Sequence, residues 1–190
     1  MRLLGLSQIS GISVFAARYA KCRQRVCQMY AMPKNEAKRV LIRTADALCR
    51  ARLRHDRESS TKLRKRLVRL VGNYTERWPQ DAEAWIILGD ISCWRRKKHE
   101  CYEQVLKIDS GNAEAHAEIG LLLAESGNPT YLRHCRRAMR RAGNTKVADV
   151  ILYTVLEAAR AAGNETLAAE VLRLARSKFP NSTLFDDAEL

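Results

Sequence analysis

Residues 81–90, DAEAWIILGD, and residues 112–121, NAEAHAEIGL, follow one pattern. Each runs from a polar residue through Ala-Glu-Ala to a large ring, then to an aliphatic-Gly pair at the same offsets. Trp85, Leu88 and Gly89 of the first thereby correspond to His116, Ile119 and Gly120 of the second. Such a period narrows the possible folds sharply, because a unit this short cannot bury its apolar face alone and must stack on its neighbours. Gly89 and Gly120 fall within helical patterns, where Gly costs roughly 0.5–1 kcal/mol relative to Ala. Close approach of a second helix at each glycine would offset that cost, and Trp85 and Tyr102 are then expected as core rings.

The rest of the chain reads as helix after helix from Glu36 onward. Ala37, Val40, Leu41, Ala45 and Leu48 make one apolar stripe, and Leu63, Leu67, Leu70, Val71 and Tyr74 make the next, both at helical spacing. Between them HDRESST, residues 55–61, reads as a loop, with Ser59, Ser60 or Thr61 placed to cap the second helix. Trp78-Pro79 ends that helix, since a residue before Pro is pushed out of the α region. Gly127-Asn128 and Gly163-Asn164 read as tight turns. With 9 Gly and 4 Pro in 190 residues there is little turn material for a many-stranded β fold.

These residues resemble the tetratricopeptide repeat, a helix-turn-helix unit with a Trp and a Leu-Gly pair in its first helix and small, aromatic, Ala and Pro positions in its second. Three units fit, at 82–112, 113–148 and 149–182, with lengths of 31, 36 and 34 residues. The first offers Trp85, Leu88, Gly89 and Tyr102. The second offers Ile119 and Gly120 but places Arg136 at the aromatic position and Met139 at the second Ala. The third lacks the Trp and Leu-Gly pair yet carries Ala168, Leu172, Ala175 and Pro180. Pro79 falls at the same final position of a degenerate hairpin, residues 36–81, and lies 101 residues before Pro180, the summed length of the three units. The resemblance implies an all-α chain, an α-α superhelix in the form of a short solenoid of helical hairpins, followed by a short acidic tail at 183–190.

It also implies a non-enzymatic protein-binding scaffold or adaptor. In this family ligands lie in a concave groove lined by the first helix of each unit. Carried over, the lining is Glu83, Ile86, Ile87, Asp90, Cys93 and Trp94; then Glu114, Ala117, Glu118, Leu121, Ala124 and Glu125; then Val150, Tyr153, Thr154, Glu157, Arg160 and Ala161. The lysine and asparagine with which chaperone-docking members grip a terminal carboxylate are replaced here by Ile86 and Asp90, Ala117 and Leu121, and Tyr153 and Glu157. An acidic, partly apolar groove instead implies a basic or amphipathic peptide or helix as partner.

Charge is uneven along the chain. Residues 1–80 hold 19 Lys and Arg against 5 Asp and Glu, while residues 81–190 hold 15 against 16. A basic first half suggests an anionic counterpart. Residues 1–35 contain no acid before Glu36, and Ile12, Phe15, Tyr19, Cys22, Val26 and Met29 recur at helical spacing opposite Arg18, Lys21, Arg23 and Arg25. This segment reads as a mitochondrial-type transit peptide, as an extra amphipathic helix, or as residues preceding a true start at Met32. The first reading places the chain in an organelle. Otherwise the six cysteines, with no C-x-x-C pair, fit free thiols in the cytoplasm or another reducing compartment.

A rival reading is RNA or ribosome binding through residues 52–71, where Lys62, Arg64, Lys65, Arg66 and Arg69 cluster on one helix, and the basic N-terminal half as a whole also suits RNA or an anionic membrane surface. No aromatic residues are interleaved as in single-strand binders. Self-association at the last hairpin is a further expectation. No catalytic, cofactor or metal motif is present. His134 and Cys135 are adjacent, but neighbouring helical residues diverge by about 100° and do not form a nucleophile-base pair.

Overall fold

The computed structural model of the chain describes residues 32–143, 145 and 147–185, so the expectations for the segment before Met32 and for the tail after Phe185 lie outside the described residues. Among the described residues eight α-helices form four antiparallel hairpins: α1 (Lys34–Leu53) with α2 (Arg57–Arg77), α3 (Ala82–Ile91) with α4 (Arg95–Ile108), α5 (Ala113–Glu125) with α6 (Tyr131–Ala142), and α7 (Ala148–Ala161) with α8 (Glu165–Lys178). A 3₁₀ turn, Thr183–Phe185, follows, and no strand occurs among the described residues. The chain is all-α. Each helix packs on the next in sequence, and α5 also packs broadly on α7, an arrangement compatible with an α-α superhelix.

Three hairpin tips share one backbone solution. Gly127 (φ 70) and Gly163 (φ 62) adopt the left-handed conformation, and the following residue donates its N–H back across the turn, Asn128 to Leu123 at 2.9 Å and Asn164 to Ala159 at 2.8 Å. This is the usual glycine-terminated helix end. The first tip makes the same turn with His55 (φ 54), Asp56 N–H reaching Ala51 O at 3.0 Å. The expected loop at 55–61 is therefore much shorter, and α2 is capped earlier than expected: Asp56 accepts from Ser59 N–H at 3.0 Å, so Ser59 supplies the donor instead of the cap.

The roots of the hairpins repeat as well. Trp78, Asp109 and Phe179 each end a helix near φ −130, and a turn closes three residues on, Asp81 N–H to Trp78 O at 3.1 Å, Asn112 to Asp109 at 3.1 Å and Ser182 to Phe179 at 3.0 Å. Pro79 and Pro180 enforce the extended residue in two of these. Ser110 does without, helped by Asp109 Oδ1 accepting from Gly111 N–H at 3.0 Å.

Neighbouring hairpins are clasped along the tip edge. Arg64 of α2 donates twice to Ile91 O, at 3.0 and 2.8 Å, and Arg95 of α4 donates to Leu122 O at 2.6 Å. Both bonds span 27 residues, and they lie 31 residues apart, the length of the first unit. Each supplies a donor to carbonyls at a helix C-terminus, which have no partner within their own helix. One unit further on, Tyr131 holds the corresponding place and accepts from Asn164 Nδ2 at 2.9 Å.

Gly89 is covered by the ring of Tyr102, which lies 3.0–3.3 Å from where a Cβ would stand. At Gly120 the covering residue is Cys135, with Sγ at 2.9 Å and its backbone N at 3.4 Å. The residue facing this glycine is thus one place before Arg136, which is exposed, and Ala138 is fully buried beside half-buried Met139. Trp85, expected in the core, is only half buried, spread across two apolar clusters with its Nε1–H on Pro79 O at 2.8 Å. Tyr102, Leu88, Ile119, Ala168, Leu172 and Ala175 are buried, whereas Pro180 is exposed.

Candidate functional site

Charge is segregated by alternate helices. Among the described residues α3, α5 and α7 carry Glu83, Asp90, Glu114, Glu118, Glu125, Asp149 and Glu157 against a single cation, Arg160. Most of the cations lie on the intervening helices and on α1. The division at residue 80 is therefore a coarse projection of a helix-by-helix alternation.

Four of the groove carboxylates expected from the sequence are already matched by cations of this chain. Lys38 Nζ lies 2.7 Å from Glu83 and 3.2 Å from Asp81; Lys98 lies 2.6 Å from Glu118; Arg95 lies 3.2 Å from Glu125; Arg160 lies 3.1 Å from Glu157. Asp81 is buried and also accepts from Tyr74 Oη at 2.8 Å; burial alone would raise it, but Tyr74 and Lys38 hold it below the usual carboxylate range. The first of these pairs thus tethers α1 to the start of α3.

Asp90, Glu114 and Glu118 form the remaining cluster, with Lys98 as the ion-pair partner of Glu118 alone. Burial, reinforced by Asp90 and Glu118, pushes Glu114 up to about 7. Asp90 is raised by burial and by Glu118, although the residue keeps a solvent-exposed side and accepts a hydrogen bond from Tyr102 Oη. Desolvation and like-charge crowding both disfavour the ionised form here.

The apolar members divide. Ile86 and Leu121 are half buried against their own hairpins, and Ile87 packs into the cluster shared with α1 and α2. Ala117 and Ala124 are buried. Trp94 is 78 % exposed at the tip of its hairpin, with Cys93 beside it. On α7, Tyr153 meets Phe185 edge-on at 6.2 Å between centroids, while Val150 is half exposed. The expected lining thus holds a carboxylate cluster, an exposed Trp94 and the α7 residues Val150 and Tyr153.

On α2, Lys62 pairs with Glu58 at 2.5 Å and Arg64 is turned to Ile91 O, so the basic face there reduces to Lys65, Arg66 and Arg69. The sequence reading passed over a stronger basic helix. Arg133, Arg136, Arg137, Arg140 and Arg141 all lie on α6, which has no acidic residue. The signal was plain in YLRHCRRAMRRA but was hidden in the near-neutral sum of residues 81–190.

Beneath α6, His116 Nε2 is 3.1 Å from Ser110 O, and its Nδ1 is 3.1 Å from His134 Nδ1. A carbonyl only accepts, so His116 carries its proton on Nε2 and accepts at Nδ1 from His134 Nδ1–H. A second proton on either ring would set two donors face to face. Burial, with His116 and then Arg133 and Arg137, holds His134 down at about 4; burial and the same two arginines lower His116, against the pull of the Ser110 carbonyl. Cys135 is buried against Gly120 and pushed up to about 11 by that burial, the state of a packing thiol and not of a nucleophile.

Among the described residues no helix is long and apolar enough to cross a membrane, and no three His, Cys, Asp or Glu side chains are grouped to hold a metal ion. No protein-family model matches the chain, and neither a curated protein nor a solved structure matches it.

Proposed function

We propose that the chain is a non-enzymatic interaction module of tetratricopeptide type, and that it binds a basic or amphipathic segment of a partner protein at the Asp90–Glu114–Glu118 cluster. The observation that supports this reading is the imbalance there: of the three carboxylates only Glu118 has an ion-pair partner, Lys98, and Glu114 is pushed up to about 7. A guanidinium or ammonium from a partner relieves that repulsion, half-buried Ile86 and Leu121 offer apolar surface on the same two helices, and exposed Trp94 offers more at the tip that follows α3. Glu83, Glu125 and Glu157 contribute less, because their ion pairs would first have to be exchanged.

The test is fluorescence anisotropy of a labelled synthetic peptide of residues 12–30 of this chain, an Arg- and Lys-rich amphipathic sequence, against the full chain. The Asp90→Asn/Glu114→Gln/Glu118→Gln variant should bind it at least about tenfold more weakly, the loss expected for even one charged hydrogen bond. Equal affinity of the two proteins rejects the cluster as the docking surface.

A second reading, nucleic-acid binding through α2, is supported by Lys65, Arg66 and Arg69, which are exposed and form no ion pair among the described residues. Generic RNA bound there should lose affinity with a log-log salt slope of about 0.7 per phosphate contacted. A flat salt response removes this reading.

A further inference from the structure

We infer that the root of the second hairpin is a binding site for a doubly charged phosphate group, free or as a monoester, separate from the carboxylate cluster and independent of it. A pocket of about 350 Å³ opens there between the α4–α5 turn and the last turns of α6, lined by Ser110, Gly111, His116, Arg137, Arg140 and Arg141. The three arginines stand at i, i+3 and i+4, the spacing that puts side chains on one helix face. All three are exposed, and none forms a hydrogen bond or ion pair with another described residue.

The floor of the pocket is fixed. His116 is 2 % exposed, and its Nε2–H is committed to Ser110 O, so it shapes the cavity and leaves the anion to the guanidinium groups. Gly111 forms one wall, close to both groups: a Cβ there would stand in ordinary contact, 3.7 Å from Arg141 Cζ and 3.5 Å from Asp109 Oδ1. Asp109 is the carboxylate at the rim, and it is turned to Gly111 N–H at 3.0 Å and pairs with none of the three arginines. Three unmatched cations therefore converge on one concavity.

Guanidinium groups bind phosphate oxygens by paired, charge-assisted hydrogen bonds. A monoester carries about −1.5 to −2 charge at neutral pH and three free oxygens, against a single charge on a diester. Charge gathered at one pocket suits the former, whereas a nucleic-acid strand calls for cations along a track and aromatic platforms for its bases. No Phe, Tyr or Trp lines this pocket. Free phosphate and a phosphorylated side chain present the same group to the site, and the chemistry of capture is shared.

Titration of the ¹⁵N-labelled full chain tests the site, with sodium phosphate, O-phosphoserine and, at matched ionic strength, sodium chloride. Phosphate and O-phosphoserine should each cause saturable shifts confined to Ser110–Asn112 and α6, with no such shifts from chloride. A response to phosphate alone supports the site for the free ion, and a response to both extends it to phosphorylated side chains. Arg137→Ala/Arg141→Ala should weaken binding at least about tenfold, and Arg137→Lys/Arg141→Lys should fall between, because charge is kept and paired donation lost. Arg39→Ala/Arg43→Ala on α1, exposed and remote in sequence from the pocket, should change nothing. Both α6 variants remove exposed side chains, and an unchanged helical circular dichroism spectrum confirms that they fold. Shifts equal to those from chloride, or full affinity in the double alanine variant, overturn the proposal. Tighter binding at these residues by an oligouridylate lacking terminal phosphates overturns it in favour of nucleic acid.

Discussion

His116 occupies the place that Trp85 holds one unit earlier. Each ring donates an N–H to the carbonyl six residues before it, Trp85 Nε1 to Pro79 at 2.8 Å and His116 Nε2 to Ser110 at 3.1 Å. An indole can only donate, so the correspondence supports the Nε2–H form of His116. It also makes the second unit sensitive to acid where the first is not. Both histidines have folded affinities for the proton below the ordinary value of 6.5, so the unfolded chain binds more protons once the pH drops under 6.5. Their contribution is whole above pH 6.5 and is lost as the pH falls toward 4, with a slope of up to about 1.4 kcal/mol per pH unit for each proton. Glu114 has the opposite sign, because its raised value favours the folded state on the acid side of about 7. Urea denaturation from pH 4 to 8 in an Asp90→Asn/Glu114→Gln background removes the two raised carboxylates, and a flat profile there contradicts the lowered proton affinity of the pair.

Gly120→Ala should destabilise the chain by about 1–3 kcal/mol, since the new methyl meets Cys135 Sγ at 2.9 Å with its backbone close behind. Adding Cys135→Ala should recover part of the loss, giving a coupling energy of about 0.5 kcal/mol or more in a double-mutant cycle. Strict additivity of the two thermal shifts would show that the contact is not shared.

At the first tip the substitution should stabilise. His55 holds φ 54, the conformation that Gly127 and Gly163 hold at the equivalent tips. His55→Gly relieves roughly 1 kcal/mol of left-handed strain while loosening the unfolded chain, for a net gain of a few tenths to about 1 kcal/mol. A lower melting temperature in His55→Gly would refute this account of the turn.

The clasps make a different forecast. Arg95→Met keeps the side-chain stem but removes the bond to Leu122 O and the pair with Glu125, and should cost about 1–2 kcal/mol. Most of that loss should persist in high salt, because the bond to a carbonyl is not a surface ion pair. Denaturation midpoints of the wild type and Arg95→Met at low and high salt decide it.

What the sequence made legible was what recurs locally. The ring and glycine spacing of 81–90 and 112–121 marked the unit, and the two Gly-Asn tips behave as their residues dictate. Tertiary choices were not legible. Nothing in a run of basic residues distinguishes Arg64, which turns inward to a carbonyl, from Arg66, which faces solvent. Repeat spacing points to Arg136 where Cys135 packs, because the α5–α6 hairpin is longer in α5 and at its tip than the α3–α4 hairpin, and residue counting does not locate the crossing point. The groove looked continuously acidic because its neutralising partners, Lys38, Lys98 and Arg95, come from other helices.

The series Arg64, Arg95, Tyr131 ends at α8, whose first residue is Glu165. A carboxylate, like the Tyr131 oxygen at the junction before it, accepts and cannot donate to a carbonyl, so the guanidinium clasp of the first two junctions is not repeated there. Whatever packs against that end of α8 must bring the donor itself.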